Sequence, residues 1–126
     1  MHEAALVLSL DGTILYRHAP PGATAVYLPD SRDLWEVLWE HRHHLGGVAH
    51  THPWSGVPAP SQEDLTTFSA CEAALGARLD WWIATDDQAL CFRHAGPDRL
   101  DYHPVDREDP SWLDELRALS SMRRSP

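Results

Sequence analysis

The chain of 126 residues contains no lysine; all ten basic side chains are arginine. Only two cysteines occur, Cys71 and Cys91. Two thiols do not make the disulfide framework of a small secreted scaffold, and they read as small buried hydrophobes in a reduced, cytoplasmic protein. No apolar run approaches the roughly 20 residues of a membrane helix, and no basic n-region leads into an apolar segment. Positive charge is scarce as well. The formal net charge of −9 disfavours nucleic acid as a partner, because phosphate binders present a basic face. What remains is ordinary globular composition, with 43% hydrophobic and 23% charged residues. That length and composition fit one domain over residues 1–126 with one core.

The apolar pattern predicts alternating short strands and helices. Ala4–Ser9 and Thr13–Tyr16 flank Asp11-Gly12, a hairpin signal, and Ala25–Leu28 reads as a third strand. Ser31–His44 reads as a helix with Trp35 and Trp39 on its apolar side, Glu36 and Glu40 opposite, and Gly46-Gly47 as its stop. The three histidines 41, 43 and 44 then sit at the negative end of the helix dipole. Val48–His52 is a strand and Ser61–Leu75 a helix, the latter with Leu65, Phe68, Cys71 and Leu75 on its apolar side. Strands follow at Leu79–Ala84, Ala89–Arg93 and Leu100–His103, and a last helix at about 111–121. Trp81 and Trp82 must point to opposite faces, which predicts one in the core and the other on the surface or a binding face. The class is α/β (α+β) around a mixed sheet.

Chemistry concentrates in the segment GGVAHTHPWSGVPAPSQED, from Gly46 to Asp64. Residues i and i+2 of a strand share a face, so His50 and His52 offer two adjacent imidazoles, a chelating pair for a borderline cation such as zinc. Ser61 and Asp64 form the Ser-x-x-acid signature of a helix start, which holds the aspartate rigidly in the first turn, where it can serve as a third ligand. Each half is commonplace alone. Jointly, His-x-His-Pro-x7-Ser-x-x-Asp arises by chance in this composition on the order of a few times in ten thousand.

This pattern resembles the JAMM motif of the JAB/MPN zinc metallopeptidases and matches it at His50, His52, Pro53, Ser61 and Asp64. The resemblance implies a compact prokaryotic-type member with a curled mixed β-sheet flanked by helices, in a cytidine-deaminase-like layout. It implies one zinc ion held by His50, His52 and Asp64, and Ser61 stabilising the tetrahedral intermediate. The chemistry asks for such a set in its own right. Three protein ligands leave a position for water, zinc lowers that water's pKa from about 15.7 to about 7, and a carboxylate must take the remaining proton. Of the upstream acids, Glu36 and Glu40 lie on a polar helix face. Glu3 opens the first apolar strand in a stretch, Glu3-Ala4-Ala5-Leu6-Val7-Leu8, that is similar to the family's base-bearing strand. The resemblance therefore assigns the general base to Glu3. Because only Met1 and His2 precede Glu3 in this sequence, the last helix is expected to pack where family members carry an earlier one.

The implied activity is hydrolysis of an amide or isopeptide bond at the C-terminal tail of a ubiquitin-like or sulfur-carrier (β-grasp) protein. Three forms stay open: trimming a precursor, releasing an amino acid from a carrier adduct, and removing a modifier from a target. A metal-free or inactive protein-binding scaffold is the alternative of another class, and a DNA-repair relative is disfavoured by the acidic charge. Trp54, directly after the histidine strand, reads either as bordering the substrate channel or as a packing residue. The sequence leaves the oligomeric state open.

Overall fold

The computed structural model describes residues 1–122. Nine elements follow one another: β1 (Ala5–Ser9), β2 (Ile14–His18), α1 (Arg32–Glu40), β3 (Leu45–Thr51), α2 (Gln62–Leu75), β4 (Asp80–Ala84), β5 (Ala89–His94), β6 (Tyr102–Val105) and α3 (Leu113–Leu119). The strands form one six-stranded sheet in the order β2-β1-β3-β4-β5-β6. Only β3 and β4 are parallel, joined through α2; every other neighbouring pair is antiparallel.

The sheet is buried on both faces, so its strands carry apolar side chains on both sides. Val7, Trp81 and Ile83 pack with Leu38 of α1 and with Phe68 and Leu75 of α2. Leu6, Leu8, Trp82 and Ala84 point the other way, against Leu113 and Leu116 of α3. Both tryptophans are therefore core residues, at 3% and 8% exposure, and neither is on the surface, where the alternation alone had placed one of the two. Trp82 meets Trp112 edge to face, with ring centroids 5.3 Å apart.

The β1–β2 hairpin turns at Gly12 (φ +85°), and the Ser9 and Asp11 side chains both accept the Thr13 N–H. Four other expectations change. Ala25–Leu28 is a loop, with Val26 and Tyr27 exposed. Helix α1 stops at Glu40, with residues 41–44 as a turn, and it buries Leu38 while leaving Trp35 and Trp39 exposed. Cys91 is buried but Cys71 is only partly so. Gly46 and Gly47 stop no helix; they lie inside β3. A Cβ on Gly46 would fall within 3.0 Å of the Ser9 carbonyl, and one on Gly47 would do the same at Asp80. The two glycines let three backbones approach where β3 enters the sheet between β1 and β4.

Among the described residues, no helix is long and apolar enough to cross a membrane.

Candidate metal centre

Strand register assembles the site. Ala5 of β1 lies between His18 of β2 and His50 of β3. The β1–β3 pairing continues past the strand ends, where the Thr51 N–H donates to the Ala4 carbonyl at 3.1 Å and the Thr51 hydroxyl accepts the Ala4 N–H at 3.0 Å. One step further, the same register sets Glu3 across from His52. Residues 3, 5, 50 and 52 therefore share the face that carries α1 and α2, and only the methyl of Ala5 stands between His18 and His50.

His52 lies one residue beyond β3, but its N–H still donates to the Ala84 carbonyl at 2.9 Å. That bond keeps its imidazole in the row. The two Nε2 atoms are 3.2 Å apart. Helix α2 brings the third group. Ser61 is its N-cap: the Ser61 hydroxyl oxygen accepts the Asp64 N–H at 3.0 Å, and Asp64 Oδ2 accepts the Ser61 N–H at 2.9 Å. This reciprocal capping box fixes the Asp64 rotamer. Its oxygens then stand 3.3 Å from His50 Nε2 and 3.1 Å from His52 Nε2. Burial alone would raise the Asp64 pKa. The hydrogen bonds with His50 and His52, the charge of His50 and the Ser61 N–H outweigh it and hold the group well below the usual carboxylate range.

A second carboxylate reaches the same point. Glu3 is 7% exposed, and one of its oxygens lies within 4.8 Å of ligand atoms of both histidines. Its backbone N–H donates to the Thr24 carbonyl at 2.8 Å. Burial pushes its carboxyl up to about 7; His52 opposes this, and the charges of Asp64 and Glu63 add to it. The start of β1 is also tied to the end of α3, where the His2 N–H donates to the Ser120 carbonyl and the Ser120 and Thr51 hydroxyls bond at 2.7 Å. The last helix, which spans Leu113–Leu119, thus ends against the first residues of the sequence.

Glu3, His50 and His52 could hold a metal ion, and they form the one such cluster of three among the described residues. Asp64 stands 3.3 and 3.1 Å from the same two imidazoles. The site thus holds two imidazoles and two carboxylates whose surroundings push their pKa values in opposite directions, Glu3 up and Asp64 down. His41 and His44 pair with each other at 2.8 Å, away from this site, in the turn after α1.

Trp54 stacks on His52, with centroids 4.7 Å apart and planes at 22°, and is 43% exposed. It borders a cleft of about 890 Å³ that runs from the four groups between α1 and α2. The floor below His50 is aromatic. Phe68 meets His50 at 6.2 Å and stacks on Trp81 at 4.3 Å. Beneath lies Glu72, which sequence reasoning passed over. It is 3% exposed and accepts hydrogen bonds from Trp81 Nε1 (3.0 Å), the Leu79 N–H (2.8 Å), Arg78 (2.9 Å) and the Tyr102 hydroxyl. The signal was present, since Phe68, Glu72 and Leu75 fall at i, i+4 and i+7 on one helical stripe.

Comparison with known families and with curated proteins finds no family model that matches this chain and no curated protein that matches it.

Proposed function

We propose that the chain is a zinc-dependent isopeptidase or peptidase of the JAMM type, with the curled-sheet layout that the resemblance to JAB/MPN proteins implies. It hydrolyses an amide bond at the C-terminal tail of a ubiquitin-like or sulfur-carrier protein. One observation carries this reading. The two imidazoles and the carboxylate of the motif meet at 3.1–3.3 Å, and a buried second carboxylate stands beside them at the end of an open cleft.

The donor set fits zinc: two imidazole nitrogens and a carboxylate suit a borderline dication, which His50, His52 and Asp64 would hold. Bound there, zinc supplies Lewis acidity and a water of lowered pKa. Glu3 accepts a proton from the attacking water as the new C–O bond forms, then returns it to the amine nitrogen as the C–N bond breaks. Its raised pKa, about 7, suits both halves of that transfer. The Ser61 oxygen is an acceptor in the helix cap, which leaves its own O–H free to donate to the oxyanion that develops on the carbonyl. Trp54 holds one face of His52 and closes that side of the site.

Metal content and turnover together test this. Purified, metal-replete protein should carry near one equivalent of zinc, and His50→Ala should lose it. Glu3→Gln should keep the zinc and lose at least about 100-fold in cleavage of a tail fusion. A Glu3→Gln protein without zinc, beside an Asp64→Asn protein that keeps it, would exchange the two carboxylates' roles. Wild type without zinc under replete conditions would favour the binding scaffold.

A further inference from the structure

Strand β3 has a pair of imidazoles at each end. His50 and His52 lie at its last residues, and His41 and His44 lie in the turn of residues 41–44 that leads into its first. In that turn His41 Nδ1 and His44 Nε2 are 2.8 Å apart, with ring centroids at 4.9 Å and planes at 88°. Backbone bonds hold both residues. The His41 N–H donates to the Val37 carbonyl at 3.0 Å, the His44 N–H donates to the His41 carbonyl at 3.0 Å, and the His44 carbonyl accepts the Leu10 N–H at 2.9 Å. The pair is therefore in place before any ligand arrives, which limits the ordering cost of binding. Its surroundings favour positive charge. Helix α1 ends at Glu40 and directs the negative end of its dipole at the turn. Arg42 is drawn back along the helix: its guanidinium lies 4.0 Å over the Trp39 ring and donates to the Trp39 carbonyl at 2.7 Å. His44 also lines a hollow of about 410 Å³ with Ser9, Asp11 and Thr13, where hydrogen bonds from Ser9 and Thr13 lower the Asp11 carboxyl to about 2 and keep it anionic.

We infer that His41 and His44 form a second metal site, separate from the first, for a divalent transition cation that takes its ligands at right angles, as Cu²⁺ and Ni²⁺ do. The spacing of the nitrogens sets the class. Two nitrogens each about 2.05 Å from one ion stand about 3.3 Å apart at the tetrahedral angle and about 2.9 Å apart at a right angle. The 3.2 Å between His50 and His52 fits the first arrangement, and the 2.8 Å between His41 and His44 fits the second. Square-planar and tetragonal sites of nitrogen and oxygen donors suit Cu²⁺ and Ni²⁺, with water in the remaining positions. In the neutral pair one of the two facing nitrogens carries the shared hydrogen. Moving that hydrogen to the other nitrogen of the same ring frees both lone pairs, and no proton is released overall. Two side chains from one turn are the whole of the protein's direct ligand set, so the ion is held less firmly than at the four-group centre and exchanges with solution. The inference does not depend on the peptidase reading.

The test is titration of the metal-replete protein with copper(II) chloride in a non-coordinating buffer, read by equilibrium dialysis and electron paramagnetic resonance. Wild type should take up one equivalent of copper more than His41→Ala or His44→Ala protein, and the difference spectrum should show two nitrogen ligands. His44 is exposed, so His44→Ala keeps the fold, as circular dichroism would verify. His43→Ala changes an exposed neighbour in the same turn and should bind copper as wild type does. The one-equivalent difference should persist when His50→Ala is added to both proteins, which separates this site from the first. Equal copper uptake by wild type and His44→Ala protein overturns the inference. So does an equal loss in His43→Ala, which would mark a histidine-rich surface and no defined pair.

Discussion

Glu72→Ala should be among the most damaging substitutions outside the candidate metal centre. The carboxylate is 3% exposed and receives four hydrogen bonds, from Trp81, Leu79, Arg78 and Tyr102. Removing it strands the indole N–H, the Leu79 N–H and the Tyr102 hydroxyl in the core, and leaves the half-exposed Arg78 without its counter-charge. Each unsatisfied buried group costs about 1–3 kcal/mol, and breaking a buried ion pair from one side costs about 3–5 kcal/mol. The terms overlap, and the solvent around Arg78 screens part of the charge effect, so about 3–5 kcal/mol is the expected total. For a chain of this length that lowers Tm by roughly 10–20 °C. Urea and thermal unfolding followed by circular dichroism measure it directly. The pH dependence supplies a sign check. Burial raises the Glu72 pKa, but the hydrogen bonds outweigh it and the folded value lies below the ordinary 4.5. Its stabilisation is therefore fully present above the unfolded pKa and is lost as pH falls below it. The gap between wild type and Glu72→Gln should be constant from pH 8 to about 5 and narrow in more acid solution. A Glu72→Ala protein within 1 kcal/mol of wild type at pH 7, or a gap that widens in acid, would refute this account of the core under His50.

Ser61→Ala removes an N-cap and should cost about 1 kcal/mol of stability. Its zinc content should stay near that of wild type, while turnover falls by about 100-fold if its hydroxyl meets the oxyanion; a fall no larger than the loss of folded protein would leave Ser61 a cap only. Gly47→Ala should cost at least about 2 kcal/mol, because its Cβ meets the Asp80 backbone, not a flexible side chain that could move aside. Unfolding midpoints decide this, with Gly56→Ala, where nothing lies within 4 Å of the added Cβ, as a test of glycine strain without contact. If zinc binds as proposed, Trp54→Ala should weaken its retention only a few-fold in a chelator competition, because Trp54 stacks on His52 and offers no ligand atom of its own.

The motif was legible because every relation it needs is local or nearly so. Strand alternation alone puts His50 and His52 on one face, and a serine–acid helix start alone fixes Asp64. The element order followed from turn and cap signals that act over four or five residues, such as Asp11-Gly12 and Ser61. What escaped depends on partners far along the chain. Gly46-Gly47 reads as a helix stop until β1 and β4 are known to close on it from both sides. One of Trp81 and Trp82 reads as a surface residue until α3 covers the second face of the sheet, over Trp82. The apolar arc of α1 spanned some 200° of the helix, wider than one packing contact covers. Burial went to its middle, at Leu38, and left Trp35 and Trp39 at its exposed margin.

The same non-local effect bears most directly on Glu3. As a sequence feature it is an acid near a chain end, a position where fraying is the ordinary expectation. In the fold it is held by pairing to β3 through Ala4 and Thr51, by the Thr24 carbonyl and by the tie between His2 and Ser120. These contacts come from three separate parts of the chain, and together they bury the carboxyl enough to bring its pKa to about 7. A solvated Glu3 would titrate near 4.5 and make a weak proton carrier at neutral pH. The part α3 plays at the candidate site is therefore indirect but physical: it keeps the first residues of β1 in place, and so keeps the Glu3 carboxyl beside His50 and His52.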